Sequence, residues 1–201
     1  MEIKPSWLGR ADAQTRRIIA NKKRYQKVSA ILQKRHNNYI PWQFIGVIHM
    51  MESNCNFGTH LHNGDSLQAR TRQVPAGRPR TGSPPFTWEE SAVDALVMKK
   101  FDEEDKWTME KICYNLERYN GWGYVNRGIP SPYLWSGSNI YTRGKYVRDG
   151  VFDANEVSQQ VGALVLLKRI LALDVEAKEV VESSTKLSWL QSIRAWLVLL
   201  S

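Results

Sequence analysis

Apolar residues recur along this chain at three- and four-residue steps in several separate runs, and the residues between the runs mark where helices begin and end. Ile18, Ile19, Tyr25, Val28, Ile31 and Leu32 predict one long, basic, amphipathic helix over residues 11 to 37. Pro41, of a type favoured in a first helical turn, opens a second over 41 to 52, where Ile45, Ile48 and Glu52 stand at i, i+3 and i+7 on one face. Thr87 and Glu90 form a capping-box pattern that starts a helix running to about Phe101. Thr108 caps another, through Ile112, Cys113 and Leu116 to Tyr119, and Asp153 with Glu156 repeats the capping-box pattern before an apolar helix over 154 to 173. Residues 58 to 75, punctuated by Gly and Asn, are expected to hold a short strand pair. Residues 75 to 85 are broken too often by Pro and Gly to form a regular element. The stretch 120 to 150 is rich in Gly, Pro, Trp and Tyr and has no helical period. A polar linker over 174 to 186 leads to an apolar segment, 187 to 201, in which Leu187, Leu190, Ile193, Leu197 and Leu200 again recur at helical steps. The expected fold is mainly α (α+β): a helical domain over residues 1 to 173 with a small β excursion next to the 41–52 helix.

Two carboxylates bracket the turn after that helix, Glu52 at its end and Asp65 thirteen residues later. The face shared with Ile45 and Ile48 is expected to carry Glu52 out of bulk water on a rigid backbone. Desolvation disfavours the charged form and moves a carboxyl group toward donating its proton near neutral pH. One raised and one solvated carboxylate is the arrangement that glycoside hydrolysis uses. By periodicity alone, an exposed helix-end Glu and a structural turn Asp account for the same residues.

Glu52-Ser53, the thirteen-residue step and the ending Asn63-Gly64-Asp65 resemble the catalytic segment of goose-type lysozymes and the related lytic transglycosylases. Tyr119-Asn120-Gly121-Trp122-Gly123 is similar to their Tyr-Asn-Ala-Gly motif, which lines the sugar groove. Gln73-Val74 stands where those families carry Gln-Val or Gln-Ile. Tyr141-Thr142-Arg143-Gly144-Lys145-Tyr146-Val147 is similar, with one extra residue, to their Thr-Arg-Asn-Tyr-Val stretch. The matches fall in the family's order over roughly residues 45 to 147. Three departures accompany them. Ala69-Arg70-Thr71-Arg72 replaces the usual Gly-Leu-Met-Gln, the segment 75 to 85 has no counterpart, and no further Asp follows between Asp65 and Trp88. The resemblance implies a lysozyme-like domain that degrades peptidoglycan. Glu52 would be the general acid, Asp65 would hold or activate water in an inverting hydrolysis, and Gln73, Tyr119, Asn120, His62 and Tyr146 would contact the sugars. A lytic transglycosylase using Glu52 alone is the nearest alternative. A non-catalytic cell-wall or nucleic-acid binding module on the same scaffold is the alternative from another class.

Composition narrows these expectations only in part. At 201 residues, 42% hydrophobic and 24% charged, the chain has the make-up of an ordinary globular protein. Eight Trp and eight Tyr suit either core packing or a carbohydrate groove, where sugar rings lie on aromatic faces. A net charge of +8 attracts anions, including the carboxylates of peptidoglycan stem peptides. The basic residues Arg16, Arg17, Lys22, Lys23, Arg24, Lys27, Lys34 and Arg35 gather on the first helix as a solvated face. No helix-turn-helix, zinc-finger or RNP-type signature accompanies them, so no nucleic-acid partner is expected. Arg70, Arg72, Arg78 and Arg80 read as a solvated loop or as a wall of the groove facing substrate carboxylates. His49, His60, His62 and Asp65 invite a zinc reading, but lining the groove or bonding loop backbone accounts for the histidines better, and neither metal nor cofactor is expected. Cys55 and Cys113 have no paired spacing and are expected to stay reduced. No apolar secretory signal is visible at the N-terminus, so the protein is expected in the cytoplasm until its release to the wall. The apolar segment from 187 makes a helix of ~21 Å, short of the ~30 Å hydrocarbon core, so peripheral contact or docking on the domain is expected rather than a span. The chain is expected to be a monomer.

Overall fold

The computed structural model describes residues 1–174, which fall into two compact units, one contiguous (Arg17–Asp105) and one split between Met1–Arg16 and the chain from Lys106 onward. The apolar segment 187 to 201, and all but the first residue of the polar linker, lie outside the described residues. The fold is mainly helical, with seven α-helices and a two-stranded antiparallel sheet among the described residues. No helix among them is long and apolar enough to cross a membrane.

The expected single helix over 11 to 37 is two helices, α1 (Pro5–Ala20) and α2 (Lys22–His36). Asn21 interrupts them at φ −104° and ψ 10°, and its side-chain amide donates back to the carbonyl of Arg17 at 2.9 Å. Such a local bond offers the backbone an alternative to helix continuation. Ile18, Tyr25, Val28 and Leu32 are fully buried, whereas Ile19 and Ile31 are half-buried.

In the contiguous unit α2 packs on α3 (Trp42–Ser53) and on α4 (Trp88–Met98). Every residue from Trp42 to Met51 is buried, so α3 is a central helix enclosed on all sides. Gly46 makes that possible, because a Cβ there would meet the Ile18 Cγ2 at 2.5 Å and the Tyr25 ring at 3.2 Å. Tyr25, His49, Phe57 and Trp88 form an aromatic cluster with centroid separations of 4.4 to 5.9 Å. Arg24 closes it, lying 3.8 Å over the Phe57 ring while its guanidinium binds both oxygens of Glu89 at 2.8 and 3.1 Å. The Thr87–Glu90 capping box that starts α4 is present in full.

In the split unit α5 (Met109–Asn120) starts at Thr108 as expected. The short α6 (Pro132–Trp135) packs on α5 and on α7 (Ala163–Leu173). Residues near the start of the chain are stitched in. Ile3 bridges Ser138, Lys168 donates to the Met1 carbonyl, and Arg169 forks onto both oxygens of Asp12 at 2.5 and 3.2 Å.

Two further expectations need correction. The sheet pairs β1 (Lys145–Arg148) with β2 (Val151–Asp153), whereas the 58–75 segment next to α3 holds only the isolated bridge Thr59–Ser66. The last helix begins at Ala163, not 154. Asp153 ends β2, and its Oδ1 accepts from the Asn155 amide at 2.8 Å, a turn in place of a cap. Residues 156 and 158 are bound instead to the 141–144 segment, through Gly144 N–H to the Glu156 carbonyl at 2.7 Å and Ser158 N–H to the Tyr141 hydroxyl at 3.0 Å.

Candidate functional site

The two carboxylates singled out by the sequence, together with His62 and Gln73, fall in the contiguous unit. Ile45 and Ile48 are wholly buried, but Glu52 is exposed. It stands in the last turn of α3, next to the Asn54 C-cap at φ 54°, where the chain leaves the core. The desolvation expected of Glu52 from its helical face is therefore absent. What the helix does provide is a rigid stem beneath a side chain that meets solvent.

Asp65 is held by a tight turn. The Asp65 amide donates to Asn63 Oδ1 at 3.0 Å, and the His60 amide donates to the Asp65 carbonyl at 2.7 Å. Its Oδ2 accepts from the amides of Arg72 at 2.7 Å and Gln73 at 3.0 Å, and from Asn63 Nδ2 at 3.1 Å. These bonds, Gln73 N–H foremost and then Arg72 N–H, hold the carboxyl below the usual aspartate range. Asp65 and Gln73, separate in the sequence motif, thus meet directly, although through the Gln73 backbone; the Gln73 side chain is exposed. A carboxylate this firmly ionised is a weak proton acceptor at neutral pH, and is better suited to holding a water or facing a developing positive charge.

His62 does not lie where a sugar contact requires. Its side chain is 0% exposed, and Nε2 meets Asp94 Oδ2 at 2.8 Å while Nδ1 lies 3.3 Å from the Ser91 hydroxyl. Burial pulls its pKa below the ordinary histidine value, against the opposing effect of Asp94. His60 Nε2 faces the Ala69 carbonyl at 2.8 Å, which only an N–H satisfies, and Nδ1 lies 2.9 Å from the Ser91 hydroxyl. The resulting Ser91, His62, Asp94 series superficially suggests a hydrolytic triad, but Ser91 is sealed at 0% exposure and shared between two histidines. It acts as a tether. Asp94 also takes the Arg78 guanidinium at 2.7 Å, so Arg78 is clasped rather than solvated. His49 is likewise enclosed, between Tyr25 and the Asn56 carbonyl. Among the described residues no group of three or more His, Cys, Asp or Glu is placed to hold a metal ion. Cys55 and Cys113 are free and buried.

The split unit contains Tyr119, Asn120 and Tyr146. A cleft of ≈ 520 Å³ opens there between the end of α5 and the β1–β2 hairpin, lined by Asn120, Gly123, Tyr124, Tyr146 and Arg148 among others. Tyr146 lies against Gly123, where a Cβ would meet its ring at 3.1 Å, and its hydroxyl approaches the Gly123 carbonyl at 3.3 Å. The Tyr146 amide donates to the Tyr124 hydroxyl at 3.0 Å, and Arg127 donates to the Tyr146 hydroxyl at 2.9 Å. A second cavity of ≈ 380 Å³ shares Asn120, Tyr124 and Tyr146 and adds Tyr133, Lys145 and Gln159. Tyr119, half-buried one residue earlier, lines neither.

No protein-family model, curated protein or solved structure matches the chain. The site therefore rests on its own chemistry, which includes a residue the sequence did not single out. Glu117, in the last turn of α5, is fully buried, and burial pushes its carboxyl up to about 7. Its position four residues after Cys113, on the apolar face of the predicted helix, was the available signal.

Proposed function

We propose that the protein is a peptidoglycan-degrading glycosidase of the lysozyme kind, with Glu52 as general acid and Asp65 as the companion carboxylate. The observation that carries this reading is the convergence in the split unit. The Tyr119–Gly123 stretch, similar to a sugar-groove motif, and the Tyr141–Val147 stretch, similar to a transglycosylase stretch, supply residues to one open, aromatic-lined cleft. Such a cleft suits N-acetylated sugars, whose apolar ring faces lie on Tyr and whose hydroxyl and amide groups meet Asn120 and Arg148. The meeting of Asp65 with the Gln73 backbone supports it from the contiguous unit. Glu52, exposed on a rigid stem, is reachable by a glycosidic oxygen, and substrate cover would supply the desolvation that the helix does not. Asp65, kept ionised, would hold the attacking water or balance oxocarbenium charge.

The test is digestion of purified peptidoglycan with mass spectrometry of the released fragments. Fragments ending in a reducing sugar are expected from the wild type, and Glu52→Gln should fall to the uncatalysed control rate while keeping its fold. Retention of a tenth or more of wild-type turnover would remove Glu52 from the acid role. Anhydro products would instead favour a transglycosylase, and glycan binding without turnover a binding module.

A further inference from the structure

The mechanism above leaves Glu117 without a task, although it is the one described carboxylate fully enclosed in the split unit. Neither of its oxygens makes a hydrogen bond among the described residues, and the buried Ser131 hydroxyl beside it is also without a partner there. Ser131 and Asn120 approach the carboxyl closely enough to offset part of its burial, and its charge would be felt by the Tyr124 phenol. Asn120 and Tyr124 are two of the residues that line both cavities. A buried acid thus stands directly beneath the polar floor of the cleft, within reach of an amide whose two ends look alike in shape and opposite in hydrogen bonding.

We propose that Glu117 is a positioning residue for the cleft: in its neutral form its O–H donates to the Asn120 side-chain carbonyl and turns the Asn120 NH₂ toward the ligand, and in its ionised form it accepts from that NH₂ and presents the carbonyl instead. The proposal rests on the carbohydrate reading only for the identity of the ligand. Acetamido carbonyls and ring hydroxyls on N-acetylated sugars are acceptors for an NH₂, so the neutral form of Glu117 is the binding form. Burial places the exchange near pH 7. The groups that face Glu117 leave it to titrate on its own. Ser131 and Asn120 are neutral, and the Tyr124 phenol is itself raised by burial. α6, packed on α5, carries no charged side chain, and the charged residues of α5 besides Glu117 are Glu110, Lys111 and Arg118.

The experiment is an NMR titration of the free protein from pH 5 to 9, following the Glu117 carboxyl carbon and the Asn120 side-chain amide, beside affinity measurements with a tetramer of β-1,4-linked N-acetylglucosamine. The Asn120 signals are expected to move with the same midpoint as Glu117 and to stay fixed in Glu117→Gln. In that variant the amide imitates the neutral acid and preserves the buried shape. Wild-type affinity should weaken about tenfold across the midpoint, whereas Glu117→Gln keeps the low-pH affinity throughout. Asn120 signals indifferent to Glu117 ionisation would overturn the proposal, as would a Glu117→Gln affinity that follows the wild-type pH curve. Coupled NMR transitions with no binding of the tetramer at any pH would uphold the coupling and sink the carbohydrate reading.

Discussion

Three N–H groups converge on one oxygen of Asp65, so Asp65→Asn sets a single neutral acceptor, or an opposing NH₂, against donors from Arg72, Gln73 and Asn63. If Asp65 serves catalysis by charge, this change should lower turnover on peptidoglycan on the order of 10²-fold or more. Hydrogen exchange at the Arg72 and Gln73 amides should speed up at the same time. A fall of less than about threefold, with anhydro fragments in the digest, would show that Glu52 works alone. Glu117 gives a prediction for stability against pH. Its folded carboxyl is raised from 4.5 to about 7, so between those values the folded protein keeps a proton that the unfolded chain releases. Stability from this group is complete below about pH 4.5 and is lost as pH rises through about 7, a total of about 3 kcal/mol. Glu117→Gln should abolish that decline. Urea midpoints at pH 5 and pH 8 for both proteins would check it, and equal declines in the two would show that the proton is held elsewhere.

Among the elements, α3 is closely constrained, because its approach to Ile18 and Tyr25 is set at Gly46. Gly46→Ala gains about 1 kcal/mol of helix propensity but inserts a methyl group into a filled contact, which typically loses 1–3 kcal/mol, and with the Ile18 methyl at 2.5 Å the loss is expected to dominate. A lowered urea midpoint at unchanged helical content is the expected result, and a raised midpoint would show that the core gives way easily. The same elements show what the sequence carried. α3, α4 and α5 lie close to the spans read from Pro41, Thr87 and Thr108, because a helix start is fixed by residues three or four apart. The break at Asn21 and the late start of α7 escaped, because an Asn amide turning back on Arg17 and a carbonyl at Glu156 held by Gly144 outweigh periodicity. At the site, the sequence brought out the two carboxylates and the tyrosine stretches, yet placed Glu52 inside and His62 outside. Helical phase ranks faces but does not say where an end emerges, and the exposure of His62 depends on Ser91 and Asp94, about thirty residues away. Glu117 shares the apolar face of α5 with Cys113, but that phase alone does not tell a fully buried acid from one at the edge of the face; the packing around it does.

On the scale of the whole molecule, the boundary between the two units falls within α1, at Arg16, and the contiguous unit is inserted in the chain between the two parts of the other. Closing the contiguous unit through Arg24 and Glu89 joins residues 65 apart, whereas closing the split unit through Asp12 and Arg169 joins residues 157 apart. Each doubling of loop length adds about 0.6 kcal/mol of closure entropy, and pairings distant in sequence slow folding. Pulse-labelling of amides during refolding should therefore find α3 and α4 protected before α7, and protection of α7 first would contradict this order. During synthesis the same connectivity acts as a clock. The ribosome delivers every residue of the contiguous unit before it delivers Arg169. The segment that carries Ile3 and Asp12 must therefore wait, unpaired, until its partners Ser138 and Arg169 have been synthesised. The aromatic cleft, lined from Asn120 to Gly150, likewise closes only once the β1–β2 hairpin has followed α5 off the ribosome.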